Sequence, residues 1–414
     1  MIPFERAVYN FLSKNPQIKN TVVDFYQRIC YLIPVQDKVS ENAITVCQNY
    51  FYGFHDKCPW SFDNKYLLVH HCLNIPLRMP SPNQGIELGY FFDNEFHPIG
   101  TTRSWNWQMG SMVQWLANSH DIVFNDFDGK KNIAKIVSLD GKAKAILPKP
   151  VAAVCPKGKY VASYSFERLR IGAPGYEYQN GTNPEERDLV PKRDGLYLLE
   201  IERNISNLLF SIEEINKVSR NKTMENAYHF FSHCQFSPFG KKLAFYHRWL
   251  DSKHVLNTRL FTYTLDTSKL CLLPTSGMVS HMCWKDENHI LAYARTHEHG
   301  DKYYLFEDQS DNFQVVGGRA FTSDGHPQFS KDRRYILTDT YPDRFRQQSL
   351  LIYDVENDIL NTIVKLKIPL KYRYEIRCDF HPRWNRDSTQ VCFDSAHTGT
   401  RSLCVMDIAN LKNK

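Results

Sequence analysis

Along residues 50–408, short runs of alternating or wholly apolar residues are separated by tight polar turns at a nearly constant pitch. Gln390-Val391-Cys392-Phe393-Asp394-Ser395 and Leu403-Cys404-Val405-Met406-Asp407-Ile408 are typical, with a turn from Asn385 to Ser388 just before them. Runs of four to eight residues rich in β-branched and aromatic side chains, bounded by Asn, Asp, Gly and Ser, predict strands rather than helices. The runs fall into groups that open on the same phrase, a histidine three residues ahead of an aromatic. The phrase occurs at His233–Phe236, His281–Trp284, His326–Phe329 and His381–Trp384, separated by 48, 45 and 55 residues. Several short strands recurring at that period predict an all-β fold, a β-propeller, in which each repeat is one blade. Seven blades are expected, opening near Lys57, Met112, Val151, His233, Met278, Gly325 and Arg377.

Residues 1–48 follow a different pattern and form a separate N-terminal extension to the propeller of residues 49–414. Phe4, Val8, Phe11 and Leu12 make one helical stripe and Val22, Phe25, Ile29, Leu32 and Ile33 another, divided at Asn15-Pro16. Arg6, Lys14, Lys19 and Arg28 fall on the polar faces. Such a basic amphipathic pair either caps the adjoining ring or makes a peripheral contact with a membrane surface or partner. Ala43-Ile44-Thr45-Val46-Cys47 then reads as a strand. Propellers avoid a raw edge by completing the last blade with a strand from the opposite terminus, and this run is the candidate.

Composition narrows the function classes. The 414 residues are 42% hydrophobic and 14% aromatic, enough for a large packed core. The net charge of +6 is spread without a Lys/Arg run, which argues against nucleic acid and suits an anionic substrate or a plain soluble surface. Eleven cysteines occur without a CxxC pair, several inside predicted strands, which fits buried free thiols in a reducing compartment. With no signal-type leader and no apolar run long enough to span a membrane, a cytoplasmic location is expected.

The repeated histidine is the strongest chemical signal. The innermost strand of each blade lines the central channel, so His233, His281, His326 and His381 are expected to converge there. Histidine is only 16 of the 414 residues, so four in seven equivalent slots marks a chosen position. Asp379 stands two residues before His381, and i and i+2 on a strand share a face. His281, His326, Asp379 and His381 together suit a transition metal (Mn, Fe, Zn or Ni) rather than calcium. Arg103, Trp105 and Trp107, at the mouth of the ring, have the residue types that hold carboxylates and stack on sugars, although tryptophans there also serve as wedges between blades. Arg259 and Arg377 are further candidates for holding carboxylates. The segment from Gly172 to Arg193 is a long polar insertion in blade three, and loops of that length are commonly functional or disordered.

These blade openings, above all His233, His281 and Asp379-Phe380-His381-Pro382-Arg383-Trp384, together with the blade-three insertion, resemble the oligogalacturonate lyases, a family of seven-bladed propellers. The resemblance is distant and spans roughly residues 50–410. It implies a carbon–oxygen lyase that cleaves an anionic, uronic-acid-containing oligosaccharide by β-elimination, with manganese as the expected metal and zinc or iron as alternatives. It implies His233 as the base and His281 and His381 as ligands. Asp379 replaces one family histidine, and Ile376 stands where the family has a glutamine. The family's catalytic arginine has no direct match, Arg193 being two residues from the expected place. A sugar-active propeller of another reaction type, in polysaccharide biosynthesis or turnover, and a non-catalytic scaffold remain the alternative readings.

Overall fold

The computed structural model describes residues 16–40 and 43–409. It is a ring of seven antiparallel sheets, a seven-bladed β-propeller. Blade one is built from Tyr50–Phe51, Leu67–His71, Ile86–Phe92 and Glu95–Thr102, and blade four from Tyr228–Phe236, Lys242–Leu250, Leu256–Thr264 and Lys269–Leu272. The other blades repeat the plan, each strand pairing with the next in sequence from the channel outward.

The apolar runs are nearly continuous because blades pack face to face, so both faces of a middle strand are buried. In blade five, Ile290, Ala292 and Ala294 pack with Ala244, Tyr246 and Leu260 of blade four. The intervening Leu291 packs with Ile336 and Tyr353 of blade six. Blades are also stitched by a repeated polar contact. The Trp284 backbone N–H donates to Gln235 Oε1 at 3.2 Å, and its indole N–H to the Gln235 carbonyl at 3.1 Å. Trp384 makes the same pair of bonds to Gln328, both at 3.2 Å. A glutamine just before the aromatic therefore ties one inner strand to the next, each bond worth about 1 kcal/mol.

The ring closes in blade seven, where Ile44–Gln48 is the outermost strand, antiparallel to Ser402–Asp407. One feature was not expected. Lys38–Val39 pairs with the edge of blade six, Lys38 opposite Lys365 and Val39 opposite Val364, as the chain crosses that blade on its way to the next. The N-terminal helix, Pro16–Tyr31, packs in the opposite sense to a simple apolar cap. Phe25, Ile29 and Leu32 stay exposed, Leu32 at 80%, while Asp24 forms an ion pair with Arg373 at the ring surface. The local reason is that this part of the ring presents arginines, so the helix docks through a carboxylate. The first helical stripe (Phe4 to Leu12) lies outside the described residues. Among the described residues no helix is long and apolar enough to cross a membrane. All eleven cysteines are free thiols.

A buried ion pair within blade seven holds the segment that follows the inner strand of blade one. Arg383 Nη2 lies 3.0 Å from Asp394 Oδ2, with both side chains at most 1% exposed. Asp394 also accepts from the backbone N–H groups of Tyr52 and Gly53 at 3.0 and 2.9 Å, and Arg383 donates to the Gly53 carbonyl. Gly53 has φ +117, and a Cβ there would come within 2.7 Å of the Met109 backbone, so only glycine fits.

Two tests follow from ring closure. Removing residues 1–36 is expected to leave a folded ring, whereas removing 1–48 strips the outer strand of blade seven and gives a chain without a cooperative thermal transition. Asp394→Ala leaves Arg383 buried without its counter-charge and should lower the unfolding free energy in urea by about 3–5 kcal/mol. A loss under 1 kcal/mol would show that the pair is not what holds this segment.

Candidate metal and substrate site

The segment fixed by Arg383 and Asp394 runs on as Phe54-His55 and fills the channel. The Phe54 ring centroid lies 4.9 Å from that of His233, 5.1 Å from His381, 6.1 Å from His326 and 6.2 Å from His281. The four histidines of the repeated phrase thus surround one phenylalanine. At two of these slots the backbone is forced into the left-handed region, with φ +54 at His233 and +44 at His381. A register shift in the inner strand between Ser232 and Gln235, and another between Val279 and Met282, bulges the chain at His233 and His281. Bulges and positive φ at non-glycine residues cost energy and re-aim side chains, so they concentrate where a side chain has a task.

A histidine that the repeat does not flag joins them. His55 is 1% exposed, its ring 5.2 Å from His326 and 5.6 Å from His281. Blade one has Lys57 in the repeat slot, and the chain delivers its imidazole two residues earlier, from the segment that plugs the channel.

His326, Asp379 and His381 are all buried and offer ligand atoms within 4.8 Å of one another. Three atoms decide whether a cation fits here. His326 Nε2, His381 Nε2 and Asp379 Oδ1 are buried without a hydrogen-bond partner. Leaving such an atom unpaired costs about 1–3 kcal/mol. A single cation would satisfy all three. The remaining atoms are already held. His326 Nδ1 lies 2.8 Å from Asp339 Oδ1. Burial raises the Asp339 pKa, while the His326 and His381 backbone N–H groups donate to its two oxygens and favour the carboxylate, to which Nδ1–H donates, leaving the Nε2 lone pair free. Asp339 Oδ2 also accepts from the His381 backbone N–H at 3.1 Å, and Asp379 Oδ2 accepts from Arg377 Nε at 2.6 Å. These outer partners orient the inner ones, as in protein metal sites generally.

His281 stands beside this group rather than inside it. Its ring is 4.1 Å from His326, and its Nδ1 lies 3.1 Å from Asp324 Oδ1. Burial alone would raise the Asp324 pKa, but the charge and hydrogen bond of His281 keep it below the ordinary carboxylate value. Burial lowers the pKa of His233, His326, His381 and His55, and neighbouring cationic groups add to the shift, so these rings are neutral near pH 7. Neutral imidazole is the form that binds a metal or accepts a proton.

Above the cluster, a cavity of about 200 Å³ is lined by Asp379, Arg377, Arg346 and Arg373, with Asp24 and Gln27 of the N-terminal helix on its outer side. A larger cavity of about 320 Å³ lies at the aromatic end of the inner strands, among Gln235, Trp284, Gln328 and Phe329. Its glutamines are committed to the blade stitches. The smaller cavity is the one that reaches the cluster, through Asp379.

Several arginine and tryptophan candidates are placed elsewhere. Trp105 and Trp107 are 1% and 2% exposed and pack against each other in an edge-on pair at 5.0 Å. Their indole N–H groups donate to the carbonyls of Gln84 and Arg78. They are wedges and have no face left for a sugar. Arg103 is spent on the Phe127 carbonyl at 2.6 Å. Arg259 is 4% exposed and donates to His247 and to the carbonyls of Val218 and Ile215, which removes it from any substrate. Arg193 has a side chain 84% exposed and pairs with Glu185 on the surface, so it is no catalytic group of this channel. Arg377 alone of these reaches the site, through Asp379 and through Tyr176 Oη at 2.6 Å. The blade-three insertion is ordered. Arg168, 1% exposed, donates to the carbonyls of Glu185, Glu186, Asp188 and His229, and so carries Tyr176 to within 6.1 Å of the His233 ring.

Fold and site together describe a seven-bladed propeller with a buried histidine–aspartate cluster in its channel. Among solved structures, an oligogalacturonate lyase in complex with manganese is similar over 91% of this chain and 96% of its own, with a TM-score of 0.62 and 14% identity. An oligogalacturonate lyase from Vibrio parahaemolyticus is similar over 90% and 96%, with a TM-score of 0.60 and 11% identity. At these identities the likeness is one of fold. No family model and no curated protein matches the sequence.

Metal uptake tests the cluster directly. Wild-type protein dialysed against manganese and analysed by mass spectrometry is expected to retain about one ion per chain, and His381→Ala none. Asp339→Asn should weaken uptake about 10–100-fold by releasing the His326 tautomer. Equal metal content in wild type and His381→Ala would remove the cluster from consideration.

Proposed function

We propose that this protein is a metal-dependent lyase that cleaves a uronic-acid-containing oligosaccharide by β-elimination. The observation that carries the reading is the trio of unpartnered, buried ligand atoms on His326, Asp379 and His381, in a ring whose fold is shared with a manganese-bound oligogalacturonate lyase. These three residues would hold the ion, with His281 as the adjoining fourth. A divalent cation bound there withdraws charge from the C6 carboxylate of the sugar and so makes the C5 proton more acidic.

The remaining steps belong to side chains. His233, neutral through burial, accepts the C5 proton on its imidazole. The C4–O bond then breaks as the C4–C5 double bond forms, and the departing oxygen takes up a proton. Ser232 Oγ, 2.8 Å from His233 Nδ1, fixes the ring orientation. Phe54 excludes water between His233 and the ligand histidines, and the cationic rim of Arg346, Arg373 and Arg377 favours an anionic chain.

Formation of an unsaturated product, followed by near-ultraviolet absorbance against a panel of uronate oligomers, tests the reaction. His233→Ala should lower turnover about 10²–10⁴-fold while metal content stays at the wild-type level. His281→Ala is expected to lose both metal and turnover. Retained metal with lost turnover would instead make the Asp324–His281 pair the base. Cleavage without an unsaturated product would replace the lyase with a hydrolase.

A further inference from the structure

The cavity that reaches the ligand trio has one wall that does not belong to the ring. Asp24 and Gln27 of the helix Pro16–Tyr31 line it together with Arg346, Arg373, Arg377 and Asp379. Asp24 Oδ1 forms the ion pair with Arg373 and accepts from Tyr374 Oη at 3.4 Å, and its Oδ2 pairs with Arg28 Nε at 2.8 Å. Arg346 is 5% exposed, and its Nε is buried without a hydrogen-bond partner. The lining thus holds three guanidiniums. Arg377 pairs with Asp379, Arg373 pairs with Asp24, and Arg346 is still short of an acceptor. Of the two carboxylates, Asp379 is part of the ring and Asp24 rides on the helix.

The helix is held in a way that lets it leave. No described side chain of residues 16–33 belongs to any of the apolar clusters that bind the blades. Phe25, Ile29 and Leu32 stay exposed, so hydrophobic burial contributes little to the docking. The contacts that remain are polar. Asp24 latches the helix near its middle, and Lys367 Nζ donates to the Tyr31 and Ile33 carbonyls at 2.8 and 3.2 Å. Farther on, Lys38–Val39 pairs with the edge of blade six and tethers the chain to the ring. Partly exposed ion pairs add little net stability, so a latch of this kind opens readily when its cation is offered another anion.

We propose that the helix Pro16–Tyr31 is a reversible lid, in which Asp24 occupies Arg373 in place of a carboxylate of the incoming ligand. Binding opens the lid, and the closed lid holds affinity down. The inference rests on the proposed function in one respect, that the ligand brings carboxylates. An arriving carboxylate offers Arg373 and the free Nε of Arg346 a charge-assisted contact of the same kind, and Asp24 loses its partner to it. Once released, the helix frays, because a helix of 16 residues on its own is marginal in water. A fixed wall is protected by the ligand it touches. This lid loosens when the cavity fills, and that inversion tells the two apart.

The test is hydrogen exchange, read by mass spectrometry on peptides from residues 16–31 of the full chain, with calorimetric binding alongside. Asp24 and Asp24→Asn chains are compared, both carrying His233→Ala so that trigalacturonate is bound and not consumed. The probes are trigalacturonate and citrate, a plain carboxylate, each set against sodium chloride at matched ionic strength because salt alone weakens an ion pair. With no probe, Asp24→Asn is expected to speed exchange in these peptides about 10-fold, and to bind trigalacturonate about 10-fold more tightly because no closed fraction holds affinity down. With Asp24 intact, trigalacturonate should speed the same peptides toward the Asp24→Asn rate and leave the blade strands unchanged. Unchanged exchange in Asp24→Asn, or slower exchange on binding trigalacturonate, overturns the lid and leaves the lyase reading standing. If trigalacturonate binds neither chain but citrate speeds exchange with Asp24 intact, the lyase reading falls and the lid stands. If neither probe binds or changes exchange, both fall.

Discussion

The buried pair of Arg383 and Asp394 is the contact on which ring and site both depend. A propeller has a critical point where its first and last blades meet, and here the chain crosses that seam only at Asn49, between the outer strand of blade seven and the inner strand of blade one. A charge pair of blade seven with almost no access to water faces it, and the hydrogen bonds of Asp394 and Arg383 to the Tyr52 and Gly53 backbone cross it. A buried ion pair is a poor source of net stability, but breaking one is severe. That asymmetry suits a seam. It makes the misassembled ring expensive and defines one position for the segment that follows, Phe54-His55.

That segment turns a hollow channel into a site. With it, each histidine ring is packed and dehydrated, and burial keeps all four of His55, His233, His326 and His381 neutral. Neutrality is what both a ligand and a base need. The same plug separates His233 from His381, each about 5 Å from the Phe54 ring on different sides. The site also departs from economy of folding in visible ways: left-handed backbone at His233 and His381, bulged inner strands, and unpaired buried atoms on at least five side chains.

Some of this was legible in the chain. The repeat with its histidine and the strand-rich blades follow from periodicity, and the closing strand near Ile44 from a short apolar run outside the repeat that a ring needs to cover its last edge. Asp379 was legible through its spacing from His381, although the two lie just ahead of the strand Arg383–Trp384 rather than within one. His55 was hidden because it belongs to no repeat; it comes from the crossing segment, which has no equivalent in the other blades. The enclosed positions of Trp105, Trp107 and Arg259 were not legible in the chain, for one common reason. Residue type shows what a side chain is able to bind, whereas neighbouring carbonyls decide whether it is already bound.

By itself, the sequence determined the class of fold, the number of blades and the convergence of four histidines, since all of these derive from local pattern repeated at a fixed pitch. Tertiary structure decided everything that depends on distance between remote segments. It decided that Asp339 and Asp324 orient His326 and His281, that Phe54 fills the centre, and that the N-terminal helix docks by Asp24 with its apolar stripe facing outward. The physical reason is that hydrophobic periodicity is a property of neighbours in the chain. Desolvation, tautomer choice and charge pairing are properties of neighbours in space, and in a ring those neighbours come from residues up to several hundred positions apart.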